Sequence, residues 1–439
     1  MPLNPGCCSF LNYTINTLQM KGTHTQTLLI LMALLLTTSG YTRDDRESKL
    51  KRKSGRIHAR ALTIDSHNDT PMWFTDTSYN FAEEHRGKRP RNRVDIPGME
   101  AGGLDGAFFA VFVGQGDRDD KGNARAYEEA VQTFKAIELN LNLHPERVSL
   151  ALNAGDARKI EKQGKRAMYI GLENGYPIGN DASKVAYFHS LGARYITLCH
   201  TRNNDICDSS TDSTEHNGIS KFGETVVAEM NRIGMMVDVS HISDKAFYDA
   251  IRLSQTPVIA SHSCARALCD NPRNLDDNML RALAESGGVI QMCILSSYVK
   301  SPDPNPRRDS AQAALRARYR GFKDLSGEEM NQARKEWYAI DEIYPQKLAT
   351  VSDVADHIDH IVKTAGIRHV GIGTDFDGGG GVKGCEYASE LGNITLELVK
   401  RGYSARQIRM IWSKNLLRVM RETERYARKN ATRNDGFTG

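Results

Sequence analysis

No CxxC pair occurs among the eight cysteines of this chain, which disfavours a zinc ribbon or finger built on paired thiolates. No apolar run approaches the length of a membrane-crossing helix, which needs about 20 residues. Neither sign of charge prevails. The 58 Lys and Arg stand against 54 Asp and Glu, and a net charge of +4 gives no reason to expect nucleic acid as a partner. Internal repeats and low-complexity tracts are also lacking. What remains is an ordinary globular composition, 40% hydrophobic and 26% charged. Its 439 residues suffice for one large barrel or for several smaller domains.

The stretch "LLILMALLL" at 28–36 is too short to span a bilayer and suits the apolar part of a secretory signal. Lys21 supplies the basic flank, and Thr38 and Gly40 stand at −3 and −1 of a cut before Tyr41. Met20 directly precedes Lys21 and is the expected true start. The chain therefore divides into a leader over 1–40 and a single domain over 41–439. Export makes the protein secreted or periplasmic, with no membrane span in the mature chain. The missing cysteine at the cut disfavours a lipid anchor. Cys7 and Cys8 fall in the leader, and six cysteines follow it. Disulfides are open to those six in an oxidising compartment, Cys199–Cys207 among them, but spacing leaves their connectivity open.

Short apolar runs then recur, with amphipathic segments between them. The runs include "ALTID" 61–65, "GAFFAVFVG" 106–114, "AMYIGLE" 167–173, "MMVDVSH" 235–241 and "HVGIGTDFDG" 369–378. Near-continuous apolar strands imply a sheet covered on both faces, and alternation with helices such as 223–234 and 243–254 implies a parallel one. Eight or nine such strands predict an α/β fold, a (β/α)8 TIM-like barrel, with "VSLALN" 148–153 as the extra strand. Between the last two strands, 296–350 breaks the rhythm and reads as a helical insertion. Its second helix opens on a capping box, Ser326 to Glu329.

The ends of these runs carry the chemistry. In "ALTIDSHNDTP", His67 and Asp69 lie two apart and face one side of a strand. Glu173, His200, His241, His262 and Asp375 each close a run of their own. One polar residue at a strand exit is ordinarily just a satisfied polar group. The strand ends of a barrel, however, surround one mouth, so seven such residues converge there and favour a metal centre. Three histidines and two carboxylates suit two divalent ions, and Glu173, long and flexible, is the candidate to be shared. The reaction class is metal-assisted hydrolysis. Asp375 is a candidate proton carrier, with Asp377 as its rival on the same strand. His357 and His360, spaced i, i+3 before the last strand, are expected on the solvent side of an outer helix.

"DSHNDTP", "GLENG", "TLCHTRNNDICDSS", "VDVSH", "ASHSCARALCDNPRN" and "GIGTDFDG" together resemble the membrane (renal-type) dipeptidase family of the metal-dependent amidohydrolase superfamily. The resemblance implies a binuclear zinc dipeptidase that uses a metal-bridging hydroxide. It places His67 and Asp69 on one zinc, His241 and His262 on the other, and Glu173 between them. It implies that His200 lies near the scissile carbonyl oxygen, Arg273 at the substrate's terminal carboxylate, and Asp375 on the proton path. Two departures bear on substrate preference: "ENG" stands where "EGG" or "EGA" is usual, and the 296–350 insertion is long. A dipeptide is the expected partner, and a homodimer is compatible with the family. The alternatives are hydrolysis of another small amide or ester, such as an N-acyl-amino acid or a lactone, and a non-catalytic zinc-binding protein. A neutral substrate would leave Arg273 without a task.

Overall fold

Nine parallel strands form one sheet in the protein, seen in a computed structural model that describes residues 45–435 apart from 77, 89–91 and 323–324. The leader, its cut and the Met20 start lie outside the described residues. Two compact units are distinguished, 1–55 and 56–439. Within the first, residues 45–55 are helical, with a Lys49–Asp45 ion pair one turn apart at 2.5 Å.

The second unit holds the sheet. Its strands are β1 (Ile64–Asn68), β2 (Gly106–Phe112), β3 (Val148–Leu150), β4 (Arg166–Glu173), β5 (Ala193–Thr197), β6 (Met236–Asp238), β7 (Ile259–Ser263), β8 (Val289–Met292) and β9 (Val370–Ile372). The order is β1-β2-β4-β5-β6-β7-β8-β9, and β1 meets the chain just past β9 through a parallel bridge of Asn68 to Phe376. Eight strands thus form the barrel, with helices between them, as the apolar runs predict. The extra strand β3 lies off this path: it pairs with residues 166–168 of β4, and β5 takes over from Ile170 onward.

Aromatic side chains fill the barrel. Phe108 stacks on Tyr169 with ring centres 4.6 Å apart and lies 5.4 Å from Tyr195. Gly171 makes room for this layer, because a Cβ there would run into the Tyr195 ring. The helices cap as their sequences suggest. Ser220 and Ser243 accept from Gly223 N and Ala246 N at the starts of Lys221–Ile233 and Asp244–Leu253. No helix among the described residues is long and apolar enough to cross a membrane.

Between β8 and β9 the insertion forms the helices Pro306–Arg318 and Gly327–Ile343, joined by Arg308–Asp341 and Arg318–Glu336 ion pairs at 2.7 and 2.6 Å. The Ser326–Glu329 capping box is present. Helix Val351–Ala365 then returns to the outer ring. It corrects one expectation: His357 is buried, not on the solvent side. His357 lies at i+3 from Val354 and one residue before Ile358, on the apolar face of that helix. Its Nδ1 accepts from Ala265 N at 3.1 Å and its Nε2 donates to Val299 O at 2.8 Å. His360 lies against Asp277 at 2.7 Å, and neither histidine reaches the barrel mouth. The six cysteines from Cys199 onward are buried free thiols, so the Cys199–Cys207 disulfide is not formed.

Candidate metal centre

Parallel strands deliver their C-terminal ends to one rim: candidate ligands stand at the ends of β1, β4 and β7, and His241 stands three residues past β6. His67 Nε2 lies 3.5 Å from Asp69 Oδ2 and 3.5 Å from Glu173 Oε2. The other oxygen of Glu173 faces the second group, 3.2 Å from His241 Nε2 and 3.6 Å from His262 Nε2. Glu173 therefore turns one oxygen to each side. His200 Nε2 stands 3.7 Å from Glu173 Oε1, with its ring 4.1 Å from that of His241. Asp375 joins His67 and His262 in a third group of ligand-type atoms within 4.8 Å of one another.

The backbone bends sharply at this rim. Asn174, His241, Asp375 and Asp377 adopt left-handed φ values of 75°, 71°, 59° and 67°. Asn and Asp tolerate that region better than other side-chain-bearing residues, which accounts for "ENG" where a glycine is usual. Asn174 also ties the rim together, donating to Val113 O at 2.9 Å and accepting from Asn204 Nδ2 at 3.0 Å. Gly378 is required for a different reason: a Cβ there would collide with the Asp69 and Asp375 carboxylates.

The rival carboxylates separate by direction. Asp377 accepts from Thr70 Oγ1, Asn92 Nδ2 and Arg93 N, all at 2.8 Å. It clamps the loops after β1 and β9 to each other. Asp375 faces the cluster, with Cys293 Sγ as a weak donor at 3.7 Å. Burial, and then the neighbouring Asp69 charge, pushes the Asp375 carboxyl up to about 7. Burial and the Glu173 charge also raise Asp69. Burial opposes a charge on His67, but Tyr195, Glu173 and Asp69 beside it prevail and raise it. Burial, followed by the Arg273 charge, pushes His200 down to about 3, so it is a neutral imidazole.

Two hydrogen-bond chains orient the rings. His67 Nδ1 meets Tyr195 Oη at 2.8 Å, and Tyr195 donates onward to Ser66 O at 3.3 Å. His262 Nδ1 meets Ser261 Oγ at 2.9 Å, and Ser261 donates to Asp238 Oδ2 at 2.6 Å. With each Nδ1 held by these chains, each Nε2 is turned into the cluster, the arrangement a metal-ligating histidine takes. Tyr195 and Asp238 escape sequence reasoning because both sit inside apolar strands, where a tyrosine reads as core. In "VDVSH" the aspartate before a candidate ligand histidine is the one signal available.

The donor set fits metal binding. His67 Nε2 and His241 Nδ1 are buried without a hydrogen-bond partner. The Nε2 atoms of His241 and His262 face each other at 2.8 Å. Buried carboxylates and imidazole lone pairs aimed at common points are costly unless cations join them. Two of the ligand-type groups, His67–Asp69–Glu173 and Glu173–His241–His262, share the glutamate.

Arg273 lies at the edge of this cluster and is 3% exposed. It donates to His262 O at 3.2 Å and packs 5.5 Å from the Tyr298 ring centre. Among the described residues it has no carboxylate partner.

The family model for membrane dipeptidase, peptidase family M19, matches residues 51–434. Dipeptidase tcpJ of Claviceps purpurea is 32% identical over 369 residues, covering 82% of this chain and 76% of that protein. Dipeptidase ataJ of Aspergillus terreus is 30% identical, covering 88% and 90%. The crystal structure of the probable dipeptidase PvdM from Pseudomonas aeruginosa superimposes with a TM-score of 0.74 at 30% identity, covering 87% of this chain and all of that one. With its barrel, its shared glutamate and a match over nearly its whole length, this chain belongs to the membrane dipeptidase family of metallopeptidases, peptidase family M19.

Proposed function

We propose that the protein is a binuclear zinc dipeptidase. In this proposal His67 and Asp69 hold one ion, His241 and His262 the other, and Glu173 both. When bound, the ions would polarise the scissile carbonyl and make a water nucleophilic near neutral pH. The chain's own groups do the rest. His200, neutral and beside Glu173, donates a hydrogen bond to the carbonyl oxygen. Asp375 takes a proton from the attacking water and returns it to the leaving amine. Arg273 takes the substrate's terminal carboxylate. The signal-like stretch at 28–40 supports export to the periplasm or the cell exterior, and N-terminal sequencing of the mature protein tests it. A product that begins upstream of residue 28 would refute export by this route.

The observation that carries the reading is the buried Arg273 without a carboxylate. A guanidinium withdrawn from water calls for an anion, and a dipeptide brings one a fixed distance from its only peptide bond. A lactone or a neutral amide brings none.

Two measurements follow. Elemental analysis of the purified protein should give two zinc ions per chain. Exhaustive chelation should abolish activity, and zinc should restore it. Full activity after chelation would end the metal assignment. The second measurement concerns substrate length. A tripeptide shifts the terminal carboxylate by one residue, about 3.3–3.6 Å of extended chain. The charge pair is then broken at a cost of about 2–5 kcal/mol. Dipeptides should be cleaved, and tripeptides or dipeptide amides scarcely at all. Arg273→Met should slow dipeptides toward the amide rate. Equal kcat/KM on all three substrates with the native enzyme would favour a general amidohydrolase.

A further inference from the structure

A second guanidinium stands near the mouth without a carboxylate. Arg334 lies on Gly327–Ile343, the second helix of the insertion. It is part-buried, with its guanidinium carbon 5.4 Å from the ring centre of Trp73. Its hydrogen bonds are long and weak, to Asn331 Oδ1 and Met72 Sδ, both at 3.4 Å. Tyr338, one turn further along, stacks on the same indole at 6.5 Å and 23°. Met72 and Trp73 belong to the single turn Pro71–Phe74 that leaves β1 directly after Asp69 and Thr70. The indole nitrogen of Trp73 is itself buried without an acceptor.

This corner thus gathers a positive charge and an unused N–H, and supplies no strong acceptor for either. The charges of Asp69, Asp377 and Glu129 reach Arg334. Among the described residues, none lies within ion-pair distance of it. The Asp377 oxygens are already taken by Thr70, Asn92 and Arg93 N. Asp69 belongs to the metal-type cluster, and Glu129 is solvent-exposed on helix Asp120–Leu143. Partial removal of a guanidinium from water is costly unless an anion arrives to pair with it.

We propose that Arg334 is a specificity residue that receives the carboxylate of an acidic side chain on the N-terminal residue of the dipeptide. The inference rests on the dipeptidase function proposed above. Arg273 bonds to His262 on β7, whereas Arg334 bonds to Met72 just past β1. Glu173 stands between them, reaching His262 with one oxygen and His67 with the other. A dipeptide anchored by its terminal carboxylate at Arg273, with its peptide bond over Glu173, must send its first residue toward the β1 side. The insertion is what brings Arg334 there, so this subsite belongs to the part of the chain that departs from the simple barrel.

The test is kcat/KM for Glu–Ala, Gln–Ala and Lys–Ala on the native enzyme, R334Q, R334E and R334K. A charge-assisted hydrogen bond at this depth corresponds to a native preference for Glu–Ala over Gln–Ala of about 10–100-fold. R334Q should bring that ratio to about one, R334K should keep the direction of the preference at a reduced size, and R334E should turn the preference toward Lys–Ala. A native ratio near one overturns the inference without using any variant. So does an R334Q protein that loses both dipeptides in equal proportion. Cleavage of Gln–Ala without an acidic preference removes only the role of Arg334. Failure to cleave any dipeptide removes the proposed function, and this inference with it.

Discussion

Glu173→Gln should cost the protein both its metal and its turnover. Glu173 reaches both sides of the site, with Oε2 3.5 Å from His67 and Oε1 3.2 Å from His241. A glutamine keeps the shape but removes the negative charge and turns one of the two oxygens into an NH2 donor. Loss of partners that only orient metal ligands typically costs about 10–100-fold in metal affinity, and loss of a shared ligand should cost more. Metal-derived stabilisation of the transition state is worth several kcal/mol, so kcat/KM should fall by about 10³-fold or more. The fold should survive, because the barrel core below the rim is untouched. Metal analysis, kinetics and a thermal melt on the same preparation check all three points. Two retained ions with near-normal turnover would show that Glu173 does not bridge.

Asp375→Asn should separate chemistry from metal binding. An amide neither accepts nor returns a proton, and such acid–base assistance typically contributes about 10²–10⁴-fold to the rate. Both ions should remain if Asp375 only carries the proton. Because Asp375 stands in ligand range of His67 and His262, simultaneous loss of an ion would instead assign it to the metal. Asp377→Asn is the counterpart. Its carboxylate accepts three hydrogen bonds from two loops, so the expected effect is on stability, about 1–3 kcal/mol, and only weakly on turnover. A variant at 377 that melts normally but has lost its turnover would exchange the two roles.

The pair Asp375 and Asp377 shows where sequence reasoning stops. Alternation along a strand places both on one face, and it cannot say which one faces the metal cluster. Both residues take left-handed φ values at the exit from β9, so strand alternation no longer holds there. Tyr195 and Asp238 were equally illegible. Each lies in an apolar strand, and each acts through a neighbour that only barrel closure supplies: Tyr195 on His67, and Asp238 through Ser261 on His262. The i, i+3 spacing of His357 and His360 marks a helix face without saying which face turns inward, and His357 lies on the buried one.

The sequence by itself determined the alternation of strand and helix, the parallel barrel, the insertion before the last strand and the polar residues at the strand ends. These features are local. Hydrophobic period, capping residues and run length act over a few positions and need no distant partner. Tertiary structure alone decided the division of Glu173 between two clusters, the direction of Asp375, and the placing of Arg273 and Arg334 without carboxylate partners. Those facts depend on side chains from different strands, brought together when residue 68 meets residue 376, and on how far each element is rotated about its own axis. No periodicity along the chain encodes that rotation. It is set by side-chain packing inside the barrel, where Tyr169, Tyr195 and Phe108 fill the core and Gly171 leaves the space they need.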